Sequence, residues 1–93
     1  MLKVQNPQTR ANLLNRLRRI EGQVRGVQKM VDEERQCDAI VQQLASIRSA
    51  VHGAMIHFLQ EQAHDCLYTP PGEDKRTQEQ NLAELIVLLG KIT

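Results

Sequence analysis

Apolar residues recur along this chain at spacings of three and four, with no run of strict alternation, so the pattern predicts helices and no strand. The first helix opens in "NPQTRANLLNRLRRIEGQVRGVQKMV", with Asn6 as N-cap and Pro7 at the first helical position. Leu13, Leu17, Ile20, Val24, Val27 and Val31 then form a heptad-like seam suited to packing on another helix. The charged connection "DEERQ" leads to a second pattern from Cys37 to Leu67, in which Cys37, Val41, Leu44, Arg48, Val51, Met55, Leu59, Gln62 and Cys66 keep a four-three rhythm. "TPPG" ends it, because two prolines and a glycine do not continue a helix. A third amphipathic helix, approximately Lys75–Ile92, carries Leu82, Leu85, Ile86, Leu88, Leu89 and Ile92. The expected fold is all-α, a single domain over residues 1–93 with a long central helix.

Length changes that picture. A chain of 93 residues buries a limited core by itself, so helices with apolar seams point to assembly with further copies. No signal peptide and no 18-residue apolar run is present, which predicts a cytoplasmic protein with no membrane partner. In that compartment thiols stay reduced. The two cysteines therefore suggest a metal or redox site in preference to a structural staple.

The net charge of +1 hides an asymmetry. Residues 1–30 hold seven basic side chains against Glu21 alone, whereas residues 31–93 carry five basic and ten acidic ones. A basic first segment on an otherwise acidic chain suggests a polyanionic partner. At about 100° per residue, Arg18, Arg25 and Lys29 fall within roughly 40° of one another and away from the seam. They are the first candidates for phosphate contacts, with Arg16, Arg19 and Arg48 adding to the cationic surface; a plain solvated face is the competing reading. Gly22 and Gly26 lie opposite the seam, where they permit close approach of a partner or are simply tolerated. An enzyme needs converging acid, base or nucleophile groups, and the pattern offers none. A structural coiled-coil adaptor accounts for the seams but leaves the basic helix and the cysteine register unexplained.

Cys37 and Cys66 are 29 residues apart, which places them about 20° apart around one continuous helix but roughly 43 Å apart along it. A disulfide requires Cα atoms within about 7 Å, so the pair cannot close inside one straight helix. If two copies pack antiparallel about a two-fold axis near Val51 and His52, Cys37 of one chain approaches Cys66 of the other, giving two inter-subunit dithiol sites. His57 and His64 project to the other side of the helix, and His52 is some 22 Å from either cysteine. Gln62 stands one turn before Cys66, where a histidine would make half of a metal site. Two chemistries stay open. Two thiolates hold Cu(I), a soft ion, or they form a redox pair in which Cys37, at a helix N-terminus, attacks and Cys66 resolves.

The runs "RLRRIEGQVRGVQKMVDEERQC" and "QLASIRSAV", with the cysteine that closes the second helix, closely resemble the CsoR/RcnR family of small, all-helical bacterial repressors, over essentially Arg10 to Ile92. The resemblance implies antiparallel dimers that pair into tetramers, a basic surface that binds operator double-stranded DNA, and an inducer at the inter-subunit site that releases it. Copper-sensing members have Cys, His, Cys at the positions of Cys37, Gln62 and Cys66, and this chain departs at the middle one. Retention of both cysteines without the histidine looks like the CstR branch, which senses persulfide. The formaldehyde-responsive branch generally lacks the second cysteine, and the nickel and cobalt branch uses a histidine near the N-terminus, absent from residues 1–10. The expectation is a homotetrameric repressor, without a resident cofactor, whose inducer is a persulfide or polysulfide acting on Cys37 and Cys66. A Cu(I)-responsive repressor using the same two cysteines is the alternative.

Overall fold

The computed structural model describes residues 3–67 and 75–92, with side chains except at 66, 67 and 75–78. Three helices follow one another, α1 (Pro7–Asp32), α2 (Cys37–Leu67) and α3 (Lys75–Leu89), and no strand occurs among the described residues. The expected break at "TPPG" lies outside them.

Local chemistry accounts for the ends. Asn6 caps α1, its side-chain oxygen accepting from the backbone N–H of Gln8 and Thr9, and Pro7 follows at the first position, where its missing N–H costs nothing. At the other end the N–H of Arg35 bonds to the carbonyl of Met30 and that of Glu34 to Val31, the paired bonds of a Schellman motif. Its left-handed position is filled by Glu34, with φ of 56°, where glycine is the usual occupant. This turn brings the chain straight into α2, whose first residue is Cys37. α3 stops at Leu89, three residues short of the sequence expectation, because Gly90, Lys91 and Ile92 bond to Val87, Leu88 and Leu89 in tighter i to i−3 turns.

α1 runs antiparallel to α2, with its first turns beside the last turns of α2, and α3 packs on the same end of α2 from another side. The heptad seam of α1 divides here. Ile20 and Val27 are half-buried against α2 together with Arg16, Gln23 and Met30, while Leu17, Val24 and Val31 remain exposed. On α2, Leu59 packs with Leu85 of α3, joined by Ala63, Leu82, Leu88 and Ile92. Ala54, Leu59 and Leu85 are the buried apolar residues among those described. Val41, Leu44, Val51 and Met55 of α2 and Ile86, Val87 and Leu89 of α3 are exposed. The protomer measures 58 × 25 × 17 Å with a radius of gyration of 17.5 Å, against about 12 Å for a compact domain of this length. Such a shape leaves the apolar stripes unsatisfied within one chain.

Candidate functional site

Two surfaces hold the residues singled out in the sequence. The first is the outer face of α1. Arg18, Arg19 and Arg25 and Lys29 are exposed, and the stripe of Arg18, Arg25 and Lys29 points away from the α2-facing side of the helix. Arg16 is half-buried toward α2, so it stands apart from that stripe. Arg48 on α2 is exposed, and the antiparallel register set by Asn12 with Glu61 brings it level with Arg25 along the helix axis. Two of the cations are engaged locally: Arg25 lies 2.8 Å from the Glu21 carboxylate and Lys29 lies 3.8 Å from that of Glu33, both four residues away. Arg18 donates to the neutral Asn15 side chain at 3.0 Å. These i, i+4 pairs were readable in the sequence from their spacing, yet a count of net charge misses them. Both are solvent-exposed and therefore weak competitors for a phosphate. An added Cβ at Gly22 or Gly26 meets nothing within 4 Å, so neither glycine is required by packing inside the protomer.

The second surface is the stripe of α2 that bears the cysteines. α2 is one helix of 31 residues, so Cys37 and Cys66 stand roughly 43 Å apart along an unbroken rod. Cys37 is exposed, unpaired, and on the first turn. The backbone of Cys66 belongs to the last turn of α2, and its side chain lies outside the described atoms. Between them the stripe is open from Val41 to Met55 and closes at Leu59 and Gln62. Gln62 is only 5% exposed, and its amide N–H donates to the backbone carbonyl of Lys3 at 3.4 Å. Its remaining polar atom is an amide oxygen, a hard donor that suits Cu(I) poorly. His52 and His57 are exposed, and no group of three His, Cys, Asp or Glu side chains comes together for a metal among the described residues. Among the described residues, then, no three-ligand metal site is formed within one chain, and the Cys66 side chain lies outside them.

Around Gln62 the structure also gathers residues that the sequence pattern did not single out. Asp65 accepts from the Thr9 hydroxyl and from the Asn6 amide, both at 3.0 Å, and Glu61 accepts from the Asn12 amide at 3.3 Å. Thr9 is 3% exposed. The signal for this cluster was faint: polar residues three apart at the start of α1, and two carboxylates four apart at the end of α2.

Known regulators share the sequence pattern and the fold. Residues 9–91 match the family model described as metal-sensitive transcriptional repressor. The chain is 37% identical over 81 residues to the copper-sensing transcriptional repressor CsoR of Bacillus subtilis (strain 168), covering 87% of this chain and 78% of that protein. It is 29% identical over 85 residues to the copper-sensing transcriptional repressor RicR of Mycobacterium tuberculosis, covering 91% and 88%. Among solved structures, a variant of the formaldehyde-responsive regulator FrmR from Salmonella enterica serovar Typhimurium superposes with a TM-score of 0.81 at 28% identity, over 96% of this chain and 99% of that one. The nickel-responsive transcriptional regulator InrS gives 0.72 at 32% identity, over 100% and 99%. A three-helix chain with a basic first helix, matched over nearly its whole length, belongs to the family of metal-sensitive transcriptional repressors, a family of regulators and not of enzymes.

Proposed function

We propose that this protein represses transcription by holding operator DNA on the outer face of α1 and lets go when a persulfide or polysulfide links Cys37 of one chain to Cys66 of another. Arg18, Arg25 and Lys29 make the main phosphate contacts, with Arg19 and Arg48 at the edges and Arg16 placed to act through α2. The observation that carries the sulfur reading is the pair of cysteines on a single unbroken helix with a buried glutamine, already bonded to Lys3, where a third metal ligand belongs. An antiparallel second copy fits the open Val41–Met55 stripe between α1 and α3, and the exposed apolar residues of α3 extend that surface. Two such dimers form the tetramer.

The chemistry balances with the inducer as oxidant. The Cys37 thiolate attacks the terminal sulfur of a persulfide RSSH; the S–S bond breaks, the thiol RSH leaves, and Cys37 becomes a persulfide. The Cys66 thiolate then attacks the Cys37 sulfur and expels hydrosulfide, so two thiols are oxidised to an inter-chain disulfide while one sulfane sulfur is reduced to sulfide. Polysulfide treatment should produce a dimer-sized species under non-reducing conditions that Cys37→Ala and Cys66→Ala each abolish, with parallel loss of DNA fluorescence anisotropy. A cross-link confined to single chains in intact mass spectra sinks the inter-chain arrangement.

Copper-sensing relatives favour a second reading, in which Cu(I) bridges the same two sulfurs. Tight Cu(I) binding by the unmodified protein, together with full release of DNA, selects it.

A further inference from the structure

The end of α2 that carries Cys66 is tied to the start of the basic helix by hydrogen bonds that one carboxylate accepts. Asp65 Oδ2 accepts from the hydroxyl of Thr9 and Oδ1 accepts from the side-chain amide of Asn6, the residue that caps α1. The same Asn6 side chain uses its oxygen to accept from Gln8 and Thr9, so cap and tether are one residue. One turn along, the Asn12 amide reaches both oxygens of Glu61 at 3.3 and 3.4 Å. Gln62, between the two carboxylates, holds the carbonyl of Lys3 just ahead of α1.

The electrostatics favour this arrangement. α1 has no acidic residue in its first turn, and Asp65 supplies from α2 the negative charge that a helix N-terminus prefers. That charge lies near the C-terminal end of its own helix, where it is unfavourable, so its natural partner is the other helix. Thr9 is buried, and its hydroxyl has no water to fall back on when the bond breaks. The position of α1 relative to the end of α2 is therefore fixed by a few polar contacts that a displacement of one residue would break.

We propose that Asp65 is a positioning residue that couples the cysteine end of α2 to the DNA-binding helix: with the Asp65–Thr9–Asn6 contacts intact α1 is set for DNA, and a change at Cys66, the next residue, breaks them and releases α1. The inference rests on the proposed function for two points, the sulfur trigger at Cys66 and the seating of DNA on α1. Coupling of this kind is reciprocal, so DNA held on α1 must also steady the end of α2.

Two measurements on the full-length protein separate the two ideas. In the first, DNA affinity is compared before and after polysulfide treatment for wild type, Thr9→Val, Asp65→Asn and Thr9→Ser. Wild type and Thr9→Ser, which keeps the hydroxyl, should lose about tenfold or more in affinity, whereas Thr9→Val and Asp65→Asn should cross-link equally yet lose only about threefold. In the second, amide hydrogen exchange of residues 61–66 is followed with and without DNA in the reduced proteins. DNA should slow exchange there in wild type and Thr9→Ser and leave it unchanged in Thr9→Val and Asp65→Asn. Wild type that ignores polysulfide but shows the clamp-dependent exchange overturns the sulfur reading and supports the coupling. Exchange that responds to DNA equally in all four proteins overturns the coupling. Should Thr9→Val fail to fold by circular dichroism, Asp65→Asn, which is nearly isosteric, reads the same contrast.

Discussion

The Arg25 guanidinium lies 2.8 Å from the Glu21 carboxylate, one turn earlier on the face of α1 assigned to DNA. Glu21 occupies the arginine and, on the proposed DNA face, places a negative charge in the path of an approaching phosphate. Glu21→Gln should therefore strengthen DNA binding by about two- to fivefold at low salt, an effect that shrinks as salt rises. Replacing Arg18 or Arg25 by alanine should weaken binding across sequences and lower the salt slope by about one unit each. Anisotropy titrations at several salt concentrations check all three, and unchanged affinity in both arginine variants removes the α1 face from the interface.

Glu34 holds the left-handed position of the turn between α1 and α2, at φ of 56°. A non-glycine residue there costs about 1 kcal/mol or more, partly offset because glycine adds freedom to the unfolded chain. Glu34→Gly is expected to stabilise the protein by roughly 0.5 kcal/mol. Thermal or urea unfolding measures it, and a clear loss of stability would show that the Glu34 side chain has a favourable role of its own.

Gly22 and Gly26 sit in the middle of a helix, where each costs about 0.5–1 kcal/mol relative to alanine, and nothing within the protomer stands in the way of a Cβ. Gly22→Ala and Gly26→Ala should each raise the unfolding temperature. Gly22 lies within about 40° of Arg18 around the helix, so its variant should also bind DNA less tightly if the duplex backbone comes close to the helix there. Greater stability with undiminished affinity would restrict the DNA contact to the long side chains.

Gln62→His tests what the buried glutamine decides. An imidazole at that position has two nitrogens, one able to donate to the Lys3 carbonyl as the glutamine does, the other free for a metal. The variant should bind Cu(I) more tightly in chelator competition and leave DNA at lower Cu(I), while its polysulfide response still needs both cysteines. Equal Cu(I) affinity in the two proteins removes Gln62 as the discriminator.

Much of this organisation is legible in the chain because it is local. Asn6 and Pro7 announce the start of α1, the three- and four-residue spacings mark all three helices, and the 29-residue separation of the cysteines fixes their relation once α2 is continuous. Other features were not legible, for a physical reason. A heptad pattern says that Leu17, Ile20, Val24 and Val27 pack, but not that Ile20 and Val27 are half-buried within the chain while Leu17 and Val24 stay exposed. Likewise the contacts of Asp65 with Asn6 and Thr9 join residues 59 and 56 positions apart, and no periodicity predicts pairings between single polar side chains at that distance. The proposed DNA face lies between these cases: its charge stripe is plain, whereas the half-burial of Arg16 emerges only when α2 is in place.

The slenderness of the protomer bears on how the repressor is supplied to its operator. With only three buried apolar side chains among the described residues and a long open stripe on α2, the proposed assembly would supply much of the folding free energy through contact between copies. Folded repressor is then a steep function of how many chains a cell contains, and the unfolding temperature should climb with protein concentration. In the proposed assembly, dilution below the threshold should yield unfolded chains open to proteolysis in place of idle monomers, so a fall in synthesis would clear the operator through turnover as well as through the proposed inducer.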